Sequence, residues 1–339
     1  MKKIVVTTEN AGVRLDKFLA SSFAKDSADN SSFAKASADK GEFFLLSRGN
    51  IIKQIKEGKV LVNGKVEKPS YILEEGDELK VELVESKKEL FANSEVSVDV
   101  IFEDQNIVVV DKPAGIQVHP GHLNEKDTLT NWLIAKYPDS AQVYDDSEGA
   151  WMRPGIVHRL DKDTSGVMVI AKNKESFANL KRLFHDRGVE KTYIALAKGI
   201  FDKKSGVIDK PIARAASYRK QVIARKNTKT IVREAETCYR ILGENGKISL
   251  VELKPKTGRM HQIRVHLASI GHPILGDGLY GDKKPPDKGI KRHMLHAFCL
   301  KFEYLGKEYN FSAPIPDDML KTGSAIDEMA QMNYAEKAL

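Results

Sequence analysis

From Val98 onward the sequence alternates short apolar runs with a few amphipathic stretches, and the order of the two kinds is what most limits the fold. Two strand-like runs in VDVIFEDQNIVVVDKPAGIQVHP flank a turn at Glu103 to Asn106, and DTLTNWLIAKY then places Leu129, Trp132 and Leu133 on one helical face. IVHRLDKDTSGVMVIAKN reads as loop and strand, KESFANLKRLFHDR as helix and EKTYIALAKG as strand. A long basic hairpin region follows, then ISLVELKPKTGRMHQIRVHLASIGHP as strand, turn and helix, closed by Gly271 and Pro273. HMLHAFCLKFEYLGKEYNFSAPIP is a closing hairpin, and a terminal helix starts at Asp317. Nine or more strands around three or four helices, out of regular βαβ order, predict an α+β domain rather than a doubly wound sheet.

Ahead of this region the pattern differs. Val13, Leu15, Phe18 and Leu19 recur at helical spacing after a short strand at Ile4 to Val6. A tandem repeat, SSFAKDSADN then SSFAKASADK, fills residues 21–40; it is small and polar and reads as an insertion without chemistry of its own. Ser47 is placed to cap a second helix that turns Ile51, Ile52 and Ile55 inward and stops at Gly58. Asn63-Gly64 between LV and KV is a two-residue hairpin signal. The polar stretch Glu85 to Ser97 reads as a linker. The expected division is a small domain at 1–85, a linker at 86–97, a larger domain at 98–323 and a tail at 324–339.

The chain's 339 residues suit about two domains. No run approaches the roughly 18 apolar residues of a membrane helix, and MKKIVVTTEN lacks the apolar core of a signal peptide. Cys238 and Cys299 have no metal-type spacing, so the expected setting is a reducing cytoplasm. Net charge is +7, and because residues 1–85 hold 14 basic and 14 acidic side chains, all of the excess lies downstream. Lys210 to Arg233 carries eight basic residues and no acid. Such a run fits either a polyphosphate partner or a solvated loop.

The stretch HRLDKDTSG, His158 to Gly166, has two carboxylates two residues apart. A phosphoryl-transfer signature of the haloacid-dehalogenase type would need an apolar strand directly before the first Asp and a Thr four residues after it. Here His158-Arg159 precede, and Thr164 stands three residues on. His261 and His266 are five apart, which does not stack two imidazoles on one helix face, so no metal is expected.

HRLDKDTSG instead resembles the signature of the RluA/RluD-type RNA pseudouridine synthases. DKPAGIQVHP, KTYIALAKG, KTGRMHQIRVHLASIGHPILGDGLYG, LHAF and APIP agree with that family in order, over roughly residues 100 to 317. Residues 12 to 83 resemble an S4 domain (αL-type), a small RNA-binding module, interrupted by the tandem repeat; a β-rich oligomerisation domain is the alternative reading. The resemblance implies an α+β synthase domain with a central mixed, mainly antiparallel sheet. It implies an enzyme without cofactor, acting on RNA, with large-subunit ribosomal RNA or a precursor ribosomal particle favoured by the S4 module and transfer RNA as the alternative. A non-catalytic ribosome-assembly factor is a rival from another class, and a monomer is favoured.

Carried onto this sequence, the resemblance makes Asp161 the nucleophile, Arg264 its ion-pair partner and Tyr193 the tyrosine that stacks on the target base and handles a proton. Isomerising uridine needs one carboxylate, attacking base or sugar or stabilising charge at C1′. A dry pocket would tend to protonate it, and a guanidinium keeps it ionised and aimed. Arg159 matches the position that fills the vacated base stack. Further RNA contacts are expected from Arg14, Arg48, Lys53, Lys112, Arg214, Arg219, Lys220, Arg225, Lys226, Arg259 and His261, with a plain structural turn the equal alternative for Lys112 and the Gly115 loop. His158, Asp163, Thr164 and Gly166 are expected to shape the turn, with Asp163, Thr164 and Ser165 bonded back to nearby backbone.

Overall fold

The structure is a computed structural model that describes residues 2–22, 48–82, 90–122, 124–147, 149–215, 220–281 and 289–327. The chain divides into two compact units, Met1–Glu89 and Leu90–Leu339. In the first, β1 (Lys2–Val5), α1 (Leu15–Ser22), α2 (Arg48–Lys56), β2 (Val60–Val62) and β3 (Glu78–Val81) form helices beside a three-stranded antiparallel sheet of order β1-β3-β2. Leu15, Phe18 and Leu19 meet Ile51 and Ile55 in one buried cluster, as the helical spacing demands. Ile52 is only half-buried, and Gln54 is buried beside Ile55 instead. Asn63 and Gly64 form the expected left-handed turn, at φ 49° and 80°. It closes a single rung, Val62 with Lys65, because β2 pairs along its length with β3. The tandem repeat and the Ser47 cap lie outside the described residues.

The second unit holds β4 (Asp99–Glu103), β5 (Ile107–Lys112), α3 (Leu129–Lys136), β6 (Ser165–Ala171), α4 (Lys174–His185), β7 (Val189–Lys198) and β8 (Ser205–Asp209). There follow β9 (Ile212–Arg214), β10 (Gln221–Ile223), β11 (Val232–Arg233), β12 (Glu236–Glu244), β13 (Ile248–Pro255), α5 (Gln262–Ser269), β14 (Leu295–Tyr304), β15 (Lys307–Ser312) and α6 (Asp317–Thr322). Nine strands make one sheet, β4-β5-β6-β14-β7-β13-β12-β8, with β15 also on β14. Every pairing is antiparallel except β14 with β6, so the sheet is mixed and mainly antiparallel. Among the described residues no helix is long and apolar enough to cross a membrane.

Two corrections follow for this unit. Residues 90–97, read from sequence as linker, are docked on α3: Asn131 Nδ2 donates to the Phe91 carbonyl, Asn93 N–H donates to the Asn131 carbonyl, and Val96 is buried. The basic run at 210–233 is not one hairpin but a separate three-stranded sheet, β10-β9-β11. α5 lies between the two sheets. Its Ile263 and Leu267 join Ile194, Leu196 and Leu253 of the main core, while Val265 packs with Ile212 and Ala235 beside the basic sheet.

Candidate active site

β6 is buried at all seven positions, so the turn that precedes it is fixed to the middle of the large sheet. Gly166 shows why the turn must end in glycine. Its φ is 118°, and a Cβ there would lie 2.2 Å from the Ala297 carbonyl oxygen, where β6 closes on β14. The turn is closed by Thr164 N–H donating to the Asp161 carbonyl at 3.1 Å. Contrary to expectation, its side chains do not bond back to local backbone. Thr164 Oγ1 meets His293 Nε2 at 2.8 Å, and Ser165 Oγ meets His296 Nδ1 at 2.9 Å. Asp163 offers its carbonyl to Arg292 at 3.2 Å, and its carboxylate accepts no hydrogen bond among the described residues.

Lys112 supports the turn from beneath. Its side chain is fully buried, and Nζ donates to the carbonyls of Pro113, Ile116 and Lys162 at 2.8, 3.0 and 3.0 Å. Burial pushes its pKa down to about 7, against the pull of Asp163. With three carbonyls around it, Nζ has no hydrogen left for phosphate, so the structure favours the scaffold reading of Lys112 over the RNA contact. His158, on the other flank, accepts the Val169 N–H at Nε2 and stacks on Phe184 with centroids 4.4 Å apart. Burial lowers its pKa to about 3, so the ring stays neutral.

Asp161 is held at the tip. Arg264 Nη1 donates to its Oδ2 at 2.9 Å, while Nε and Nη2 donate to Oδ2 and Oδ1 of Asp277 at 2.7 and 2.9 Å. Asp277 is fully buried at its side chain and also accepts the Leu279 and Tyr280 N–H groups. Burial works against a charged guanidinium, but the two carboxylates outweigh it and the Arg264 pKa is raised. The Tyr280 ring lies 5.2 Å from the guanidinium carbon, close enough for a cation–π contact. Among the described residues, every hydrogen bond or ion pair to the Asp161 carboxylate falls on Oδ2 and none on Oδ1. Tyr193 sits on β7 between Leu253 and Ala297, and burial together with Asp161 raises its pKa, so it keeps its proton.

Asp161, Tyr193 and Arg264 line an open cleft of about 750 Å³ that also takes in Arg159, Arg259 and His261. Arg153, Lys181, Arg187, Lys191 and Lys256 line it as well and were not read from the sequence. Lys191 had a signal: it is two residues before Tyr193, hence on the same face of the strand. A cleft that holds the Arg264-anchored Asp161 carboxylate, a protonated tyrosine and a rim of cations suits nucleophilic chemistry on a polyanion.

Comparison with known proteins agrees. Residues 106–269, which contain Asp161, Tyr193 and Arg264, match the RNA pseudouridylate synthase family, and residues 42–79 match the S4 domain. An uncharacterized RNA pseudouridine synthase of Aquifex aeolicus (strain VF5) is 43% identical over 273 residues, 80% of this chain and 77% of that protein. The chain belongs to the RNA pseudouridine synthase family. A ribosomal large subunit pseudouridine synthase D of Vibrio cholerae is 35% identical over 86% of this chain and 90% of its own. The human RNA pseudouridylate synthase domain containing 1 structure superposes with a TM-score of 0.56 at 25% identity, covering 73% of this chain and 98% of that one.

In this pseudouridine synthase the other expected RNA contacts are scattered. Lys220, Arg225 and Lys226 are exposed on or beside the basic sheet, as is Arg214 at the end of β9, while Arg219 lies outside the described residues. Arg259 is half-buried and donates Nε to the Glu234 carbonyl at 3.2 Å. In the S4-bearing unit, Arg14 pairs with Asp16 at 3.0 Å and Lys53 with Glu57 at 3.7 Å. The Arg48 side chain is outside the described residues.

Proposed function

We propose that this enzyme converts specific uridines of large-subunit ribosomal RNA to pseudouridine, with Asp161 as the nucleophile. The observation that carries the reading is the Arg264–Asp161 ion pair at 2.9 Å at the tip of a turn facing a cation-lined cleft. The choice of RNA is supported by relatives of Vibrio cholerae and Escherichia coli O6:H1, each 35% identical over more than four fifths of this chain and each called ribosomal large subunit pseudouridine synthase D.

The reaction is an isomerisation. N1–C1′ breaks, the base turns, C5–C1′ forms, and the C5 proton is lost while N1 gains one. Asp161 Oδ1 supplies the electron pair, at the base or at the sugar, or stabilises charge at C1′. Arg264 aims the carboxylate through Oδ2. Tyr193, protonated, stacks on the base and donates or relays a proton at its hydroxyl. Arg159, exposed at the cleft, fills the stack that the base leaves and binds phosphate. The basic sheet and the S4 module hold the RNA backbone.

The test is to map pseudouridines in ribosomal and transfer RNA from cells with and without this protein. Loss of defined sites in large-subunit ribosomal RNA supports the reading; loss in transfer RNA alone transfers the proposal to that substrate.

A further inference from the structure

Gln221, the first residue of β10, donates its backbone N–H to Tyr280 Oη at 2.7 Å, and the same oxygen lies 2.9 Å from His261 Nδ1. A backbone N–H can only donate, so Tyr280 accepts there and its own proton needs a second acceptor. Burial raises the Tyr280 pKa to about 12, so the proton is present. His261 Nδ1 is within reach and has a lone pair only in one tautomer. Burial lowers the His261 pKa, which keeps the ring neutral with a single N–H. With Nδ1 accepting, that N–H is on Nε2, and Nε2 lies 3.8 Å from Asp161 Oδ2.

We propose that His261 is a positioning residue: its Nε2–H is the second donor to Asp161 Oδ2, and its tautomer is set by Tyr280 and the backbone of the basic sheet. At 3.8 Å the contact is several tenths of an ångström too long for a hydrogen bond, and it closes when RNA fills the cleft; such bonds tighten in the substrate complex. Arg264 and His261 then hold one oxygen from two directions, which fixes the carboxylate plane and leaves Oδ1 presented. The backbone agrees with a ring held for a purpose. His261 has φ 55° and ψ 16°, a left-handed conformation uncommon outside glycine, directly before α5. The inference rests on Asp161 being the acting carboxylate, and it moves His261 from RNA contact to the positioning of the nucleophile.

Two measurements on the full chain test it. In ¹⁵N-histidine-labelled protein, the ring signals lost in His261→Asn identify this residue. They should report a neutral ring protonated at Nε2, and in Tyr280→Phe this single tautomer should give way to a mixture. Protonation at Nδ1 in the unsubstituted protein overturns the proposal without reference to any RNA. In single-turnover tritium release from [5-³H]uridine-labelled large-subunit ribosomal RNA, His261→Asn should lower the saturating rate about tenfold or more with RNA affinity unchanged. His261→Gln, whose amide N–H reaches the Nε2 position, should recover most of the rate. Weakened RNA binding at an unchanged saturating rate, or no recovery in His261→Gln, contradicts it. Turnover by Asp161→Asn would instead sink the assignment of Asp161 and leave the tautomer result standing.

Discussion

Arg264 gives one nitrogen to Asp161 and two to Asp277. The buried Asp277 is therefore the anchor of the pair, and the guanidinium is a rigid spacer between a structural carboxylate and the proposed nucleophile. A fork gripped on one edge cannot rotate, so the direction of its remaining nitrogen is set by the protein rather than by the substrate.

Asp277→Asn tests this spacer. The amide keeps the size of the carboxylate but loses its charge and one acceptor. The saturating rate should fall by about 10- to 100-fold at little changed RNA affinity, with stability lower by about 2–4 kcal/mol because Arg264 is left half-paired in a buried place. Single-turnover kinetics and urea unfolding read the two effects, and an unchanged rate would mean that Asp161 is aimed by something else.

Lys112→Met tests the scaffold beneath the turn. It takes the Nζ donor away from three backbone carbonyls and should cost about 2 kcal/mol. RNA affinity of the folded variant, measured by filter binding, should stay within about twofold because Nζ is not available to phosphate. Intact stability with weakened RNA binding would restore Lys112 as a contact.

Acid should unfold the synthase early. Burial holds the pKa of His158 at about 3 and those of His293 and His296 at about 4, whereas in the unfolded chain each titrates near 6.5. Between those values the unfolded state binds up to three more protons, so stability is complete above pH ~6.5 and is lost as pH falls toward ~4. The steepest slope is about 4 kcal/mol per pH unit. Urea midpoints at pH ~7 and ~5 should differ clearly; equal midpoints would show that these rings are charged or exposed when folded.

The sequence pointed to Asp161, Tyr193 and Arg264 because each sits in a contiguous motif whose neighbours fix its local geometry, and the structure brings all three to one cleft. What it hid depends on contacts between distant segments. Asp277, between two glycines, reads as a turn residue until Arg264 is seen beside it. Lys112, before a proline, stays undecided between RNA contact and structural turn because nothing local reveals that three carbonyls turn inward to meet it. Thr164 and Ser165 find partners 129 and 131 residues away, just before and within β14, where a local hydrogen-bonding habit predicted backbone. The Asn63-Gly64 turn formed as its residues require, yet the partner of β2 was settled by the third strand, which buries Leu79 and Val81 against the helices.

The two carboxylates of the turn have different surroundings: Asp161 is paired with Arg264, while Asp163 has no hydrogen bond to its carboxylate among the described residues. Tritium release from [5-³H]uridine-labelled ribosomal RNA, measured for Asp161→Asn and Asp163→Asn with RNA binding followed in parallel, tests that asymmetry most directly. The account predicts no release by Asp161→Asn with RNA binding retained, and a modest reduction in Asp163→Asn. Release by Asp161→Asn at the unsubstituted rate, or equal and total loss in both, would contradict it.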